Sequence, residues 1–289
     1  MFRRLIGASV ALSGARAFAS AALKPVQVAD GVPALVGGPK GRPAVIVIQE
    51  WWGITDTIKG IASNISEAGD YRVLVPDIYK GAVGVDAEEA HHLMSNLDFP
   101  KAVSEIGQAA AFLKAEGSPA VGVVGFCMGG ALTMGALAAS KDISCGAPFY
   151  GVNFGLFEPS ALASKPVQAH FGMEDKMEGF SDPATGQKLE ADLKAAGNAE
   201  VEVFLYEKVG HAFMNVSPAP FESFEARQAK MGFPPYDEEA AALAYDRLLA
   251  FLGEHLEHAP HACVCTRAHP LMCMACTGTI GSSPSLAST

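Results

Sequence analysis

The chain has 289 residues, enough for one sizeable core, and its 49% hydrophobic and 18% charged residues exclude a disordered or fibrous protein. A formal net charge of −10 offers no electrostatic footprint for nucleic acid and is repelled by an anionic membrane surface, so small-molecule chemistry is the default. Six cysteines do not make a disulfide framework, because Cys263, Cys265, Cys273 and Cys276 crowd the C-terminal end and only Cys127 and Cys145 occupy the body, which suits a reducing compartment.

The opening MFRRLIGASVALSGARAFASAALKPVQVA carries Arg3, Arg4, Arg16 and Lys24, with no acid before Asp30. We read 1–25 as an organellar presequence, mitochondrial or plastid. A secretory signal, with apolar Leu5 to Leu12 and an Ala17-Phe18-Ala19 cleavage motif, and an uncleaved start in a cytoplasmic protein stay open beside it. The apolar run is too short to span a bilayer. Val26 to Val36 predicts a strand or hairpin, broken by the Gly/Pro-rich 37–43 loop; AVIVI at 44–48 predicts a strand buried on both faces. Ile58, Ile61 and Ile65 at helical spacing predict a helix from Asp56 to Ala68, stopped by Gly69. The alternation continues: a strand at 72–77, helices at 87–96 and 102–116, a strand at 120–125, and a small-residue helix at 128–139. Strands at 143–150 and 166–172, a helix at 183–196, a strand at 201–206 and a last helix at about 237–252 follow. Such alternation without a composition break predicts one α/β domain over 26–255, a single doubly wound, mostly parallel sheet flanked by helices.

In such sheets reacting groups gather beyond the carboxyl ends of the strands. Three loops there carry suitable residues. Cys127 sits in G-F-C-M-G-G after the strand at 120–125, in the G-x-nucleophile-x-G frame of a strand-to-helix elbow. The following helix points its N-terminus at Cys127, favouring a thiolate and an oxyanion. Asp175 follows the strand at 166–172 and His211 the strand at 201–206, so the chain order is nucleophile, acid, histidine. Glu174 competes with Asp175 for the place of the acid. A small buried filler at Cys127 and a satisfied loop histidine at 211 are the blander readings. Trp51, Trp52, Phe126, Tyr150, Phe154 and Phe213 flank the same loops, and Trp52, Phe126, Tyr150 and Phe213 are taken as pocket-lining candidates.

GFCMGG, QEWWG at 49–53, VPDIY at 75–79, FYGV at 149–152, GMEDKM and GHAF together resemble the dienelactone hydrolases, a cysteine-nucleophile branch of the α/β-hydrolase fold, over roughly 26–255 in one register. The resemblance implies carboxylic-ester or lactone hydrolysis through Cys127, Asp175 and His211. It also implies a part for Glu50 in forming the thiolate, and an oxyanion hole from the backbone amides of Trp51 and Met128. Two arginines that hold a substrate carboxylate in the family fall near Ala87 and at Asn215 here, and both are absent, so Asn215 becomes a substrate-facing candidate and neutral esters the expected preference. Lys101, Arg227 and Lys230 are the cations left to compensate, and the sequence does not place them.

The tail 256–289 carries C-x-C and C-x-x-C with His261 just before the first pair and His269 between the pairs, but its spacing is shorter than that of zinc ribbons and its end is Ser/Thr-rich. It is read as a disordered extension without metal. No cofactor is expected, and the partner is a small-molecule ester or lactone met by a monomer. A thiol-based redox or electrophile sensor on the same fold, or a non-catalytic metal- or partner-binding protein acting through the tail, are the rival functions.

Overall fold

The computed structural model describes residues 23–28 and 31–257. The presequence reading, apart from its last residues, and the tail beyond 257 lie outside the described residues. Strand β1 (Lys24–Val28) already begins ahead of position 26 and forms an antiparallel hairpin with β2 (Val32–Gly37), Val28 opposite Val32. β2 pairs antiparallel with β4 (Arg72–Pro76), and β4 parallel with β3 (Ala44–Ile48). From β3 the sheet continues in parallel through β5 (Val121–Phe126), β6 (Cys145–Phe149), β7 (Val167–Gly172) and β8 (Val201–Tyr206). The order is β1-β2-β4-β3-β5-β6-β7-β8, an eight-stranded, mostly parallel sheet. The chain leaves β3 toward β4 on one side and returns to β5 on the other, which opens a crevice beyond the ends of β3 and β5.

Continuous apolar runs account for the middle of the sheet: every residue of β3, β4, β5, β6 and β7 is buried. Helices α1 (Asp56–Gly69), α2 (Ala87–Ser95), α3 (Phe99–Ala115), α4 (Met128–Ala139), α5 (Pro183–Ala195), α6 (Phe224–Met231) and α7 (Glu238–Leu252) pack around it. Most begin with a side-chain cap: Thr55 Oγ1 accepts from the Ile58 amide, Asp86 Oδ1 from Glu89, and Asp237 Oδ1 from Ala240. Helix α3 starts earlier than its apolar spacing predicts, because Asp98 caps it and Pro100 is tolerated in its first turn. Helix α6 was not expected; Pro218, Pro220, Pro234 and Pro235 make its flanks read as loop, while Ser223 caps it and Gly232 ends it in the left-handed region. Two short 3-10 turns, Phe154–Leu156 and Pro159–Leu162, likewise interrupt the segment after β6.

One buried group ties the sheet to pH. His170 in β7 stacks on Phe149 with ring centroids 4.1 Å apart, and its Nδ1 lies 2.8 Å from the Tyr206 hydroxyl. Burial, with the Arg247 charge beside it, pulls its pKa down from 6.5 to about 3. The unfolded chain takes up a proton near pH 6.5 that the folded chain refuses, so stability is intact above that pH and falls as pH drops toward 3. Between pH 7 and 4.5 this single group should cost about 2–3 kcal/mol. Thermal unfolding of His170→Gln is expected to lose correspondingly less stability over that interval than wild type, and parallel Tm-versus-pH curves would contradict it.

Candidate active site

The chain turns from β5 into α4 at one residue, Cys127, whose φ of 55° and ψ of −120° are unusual for a side chain bearing a Cβ. The turn is tight enough that glycine is required beside it. A Cβ on Gly125 would stand 2.0 Å from the Gly129 carbonyl oxygen, and one on Gly129 would stand 2.5 Å from that of Gln49. The Cys127 amide donates to the Phe149 carbonyl at 3.0 Å, and the Cys127 carbonyl accepts from Gly130 at 2.9 Å. Its thiol is free, and the residue as a whole is 8% exposed. No side chain caps α4. Met128 is the first residue of that helix, so its N–H has no acceptor within the helix and the positive end of the dipole faces the sulfur.

His211, after β8, is buried, and its Nδ1 lies 2.9 Å from Asp175 Oδ2 and 3.1 Å from Ser181 Oγ. Asp175 is buried too, while neighbouring Glu174 is exposed, so the acid that meets the ring is Asp175. The other imidazole nitrogen, Nε2, has no hydrogen bond of full geometry among the described residues, yet Cys127 acts on this ring strongly. Burial alone would lower the His211 pKa; the opposing charge of Cys127, with Asp175, lifts it to about 10. Thiol and imidazole are thus close but unaligned, and the thiolate form of Cys127 favours the charged form of the ring.

Glu50 follows β3 and is buried. Asn215 Nδ2 donates to its Oε2 at 3.0 Å and to its Oε1 at 3.3 Å, and the Tyr150 hydroxyl donates to Oε1 at 3.3 Å. Burial raises the Glu50 pKa, and Asn215, His211, Tyr150 and Arg227 work against that rise. Tyr150 (φ 37°) and Ala212 (φ 59°), beside His211, share with Cys127 a positive φ, so backbone strain collects on the residues around one spot.

The remaining candidates surround this cluster. Trp51 and Trp52 meet edge to face at 4.8 Å, and Tyr150 lies 5.2 Å from the His211 ring and 5.4 Å from Phe213. Phe126 packs on Phe149 at 4.9 Å and Phe213 on Tyr206 at 5.2 Å, both fully within the aromatic core behind the site. Phe154 pairs with Phe157 instead. The segment that bears α6 lies across the front: Phe221 meets Trp52 at 6.0 Å, and Phe233 meets His211 at 4.8 Å. Arg227 on α6 is buried, its guanidinium lies over the Phe224 ring at 4.8 Å, its Nη2 donates to the Pro234 carbonyl at 2.9 Å, and its Nε and Nη1 have no hydrogen-bond partner among the described residues. Lys101 and Lys230 are exposed. Tyr79 was not foreseen; its hydroxyl donates to Met128 Sδ at 3.2 Å, and burial, then the Cys127 charge, raise its pKa. Ser181 was not foreseen either, since no motif distinguishes it from other loop serines. A cleft of about 440 Å³, lined among others by Val26, Leu35, Ile54, Asp77 and Val83, lies beside the β1–β2 hairpin and includes none of these site residues. Among the described residues no three His, Cys, Asp or Glu side chains are grouped to hold a metal, and no helix is long and apolar enough to cross a membrane.

The family model for the dienelactone hydrolase family matches residues 32–256. A carboxymethylenebutenolidase of Pseudomonas putida is 28% identical over 234 residues, covering 76% of this chain and 90% of the relative. A protein of Aquifex pyrophilus named usf is 30% identical over 235 residues, covering 76% and 92%. Among solved structures, a dienelactone hydrolase-like promiscuous phosphotriesterase from metagenomic libraries superposes with a TM-score of 0.63 at 18% identity, over 82% of this chain and 99% of the other. An esterase of Pyrococcus furiosus gives 0.52 at 16% identity, over 81% and 93%.

The raised Glu50 pKa has a consequence for stability. Its folded-state pKa lies above the unfolded value, so stability is fully present below the unfolded pKa and is lost as pH rises through the folded one. Glu50→Gln is therefore expected to gain in Tm relative to wild type as pH rises from 5 to 8. A difference in Tm that does not change with pH would contradict the burial argument.

Proposed function

We propose a mechanism for a chain that belongs to the dienelactone hydrolase family and hydrolyses ester or lactone bonds: Cys127 is the nucleophile, His211 the general acid and base, and Asp175 the group that orients the ring. The observation that supports this most directly is the meeting of a strained, helix-facing thiol with a buried histidine already bonded to a carboxylate. The Cys127 thiolate attacks the carbonyl carbon, and the carbonyl oxygen takes the electron pair while the amides of Trp51 and Met128 donate to it. The tetrahedral adduct collapses with cleavage of the acyl C–O bond, His211 gives its proton to the leaving oxygen, and a thioester remains on Cys127. His211, now neutral, takes a proton from water as that water attacks the thioester; collapse expels the thiolate and leaves the acid. Glu50, buried beside His211 with its pKa raised, is a proton acceptor suited to drawing the thiol toward its charged form. Its hydrogen-bond partners are Asn215 and Tyr150.

Cys127→Ala is expected to reduce turnover of aryl esters and simple lactones by about a thousandfold or more with little change in Tm, and Cys127→Ser by about a hundredfold. Intact-protein mass spectrometry after brief mixing should show an acyl adduct on Cys127. Full turnover by Cys127→Ala would overturn the mechanism, and wild-type protein that alkylates without turning over any ester would favour the sensor reading.

Substrate charge follows from which cations surround the acyl group. The positions near Ala87 and at Asn215 lack arginine, and Arg227 brings one buried guanidinium with two unpartnered donors from α6. One cation in place of two leaves neutral aromatic esters and lactones the better substrates. Arg227→Met is expected to widen the gap, lowering kcat/KM for carboxylated lactones about tenfold more than for neutral ones. Equal losses for both would make Arg227 a structural residue only.

A further inference from the structure

The Nδ1 atom of His211 has a neighbour that the three-residue mechanism does not use. Ser181 is fully buried, and its Oγ stands 3.1 Å from Nδ1, almost as near as the Asp175 carboxylate at 2.9 Å. Proton placement follows from chemistry. An ionised carboxylate only accepts, so a deprotonated Nδ1 would set lone pair against lone pair at 2.9 Å; Nδ1 therefore carries the proton. A protonated Nδ1 cannot accept from the serine, so the Ser181 oxygen must be a second acceptor for the same N–H.

The turn that carries both acceptors is tied down. Asp175 Oδ1 accepts from the Met177 amide at 3.0 Å, and the Met177 carbonyl accepts from the amides of Phe180 at 3.1 Å, Ser181 at 3.0 Å and Asp182 at 3.2 Å. The Val152 amide, two residues beyond Tyr150, donates to the Phe180 carbonyl at 2.9 Å, and Asp182 caps α5. Asp175 and Ser181 are thus the two limbs of one clamp around the imidazole edge.

We propose that Ser181 is a positioning residue for His211, a second acceptor on its Nδ1 proton that holds the ring's tautomer and plane and stabilises the imidazolium opposite the Cys127 thiolate. It rests on the Cys127–His211–Asp175 reading and adds a fourth member to it. A lone carboxylate contact leaves the ring free to swing about the N–H···O axis; a second acceptor on the other side of that axis removes the freedom. The oxygen's lone pair also favours the charged ring over the neutral one. Cys127, Asp175, Glu50 and Tyr150 are the titratable groups that act on the ring or pack against it, and a substitution at 181 alters none of them.

The experiment is Ser181→Ala in the full chain, read by kcat, KM, the alkylation pH profile and Tm. Expected are a fall in kcat of about tenfold, equivalent to about 1.4 kcal/mol, and a KM changed by less than about twofold. The acid limb of the pH profile for iodoacetamide alkylation of Cys127 should move up by about half to one pH unit, because a less basic histidine supports less thiolate at a given pH. A fall in Tm with an unmoved alkylation profile and unmoved kcat would overturn the proposal and leave Ser181 as packing. Ser181→Gly is the companion variant: should Ala at 181 fail to fold, the same kinetic shifts are expected from Gly. Full activity in His211→Ala would instead overturn the underlying triad reading, so the two failures are distinguishable.

Discussion

Between Phe126 and Met128 the backbone turns from strand to helix within a single residue, and the rest of the site depends on how that turn is held. A non-glycine residue in this region of φ and ψ costs about 1–3 kcal/mol, which the surroundings must offset. Here they do so through hydrogen bonds to both the amide and the carbonyl of Cys127 and through glycines that let α4 approach β3 and β5 closely. The same closeness directs the free amides and positive dipole end of α4 at the sulfur. Strain at Cys127, the approach of the helix and the electrostatics of the thiol are therefore one feature. A larger residue at 125 or 129 would disturb all three together.

The second constraint is burial of charge. Glu50, Asp175, His211 and Arg227 are all shielded from water within one neighbourhood, where an unpaired charge is expensive and a paired one is strongly coupled to its partner. The groups are sorted by what they can give. Asp175 meets the His211 proton; Glu50 receives three donor contacts from Asn215 and Tyr150 and none from a cation within hydrogen-bonding range. Arg227 has donors to spare. Unspent donors and a carboxylate of raised pKa set this group apart from a saturated core network.

The segment bearing α6 shows how function is added to a common sheet without altering it. Phe221 on Trp52 and Phe233 on His211 place its two ends on loops that follow β3 and β8, and Arg227 hangs between them. Under the proposed mechanism the strand ends would supply the reacting groups, and a connection of this kind is where substrate preference can change while the sheet stays the same.

Much of this was legible in the chain itself. Continuous β-branched runs such as AVIVI determine strands buried on both faces, because only a parallel sheet covered by helices satisfies them. The G-x-C-x-G spacing determines an elbow, because only glycine fits beside it, and the order of Cys127, Asp175 and His211 along three strand ends matches the geometry that brings them together. The sequence could not determine contacts that depend on where distant segments come to rest. Ser181 reaches His211 only because its turn folds back on Met177, and Tyr79 reaches Met128 only because β4 and β5 flank β3 on its two sides. Arg227 reads as one more charge in a proline-flanked loop until α6 forms and burial strips the water from its guanidinium. Periodicity and spacing record local preference and the covering of faces, whereas proximity across the sheet and the loss of solvent around a charge are properties of the folded chain alone.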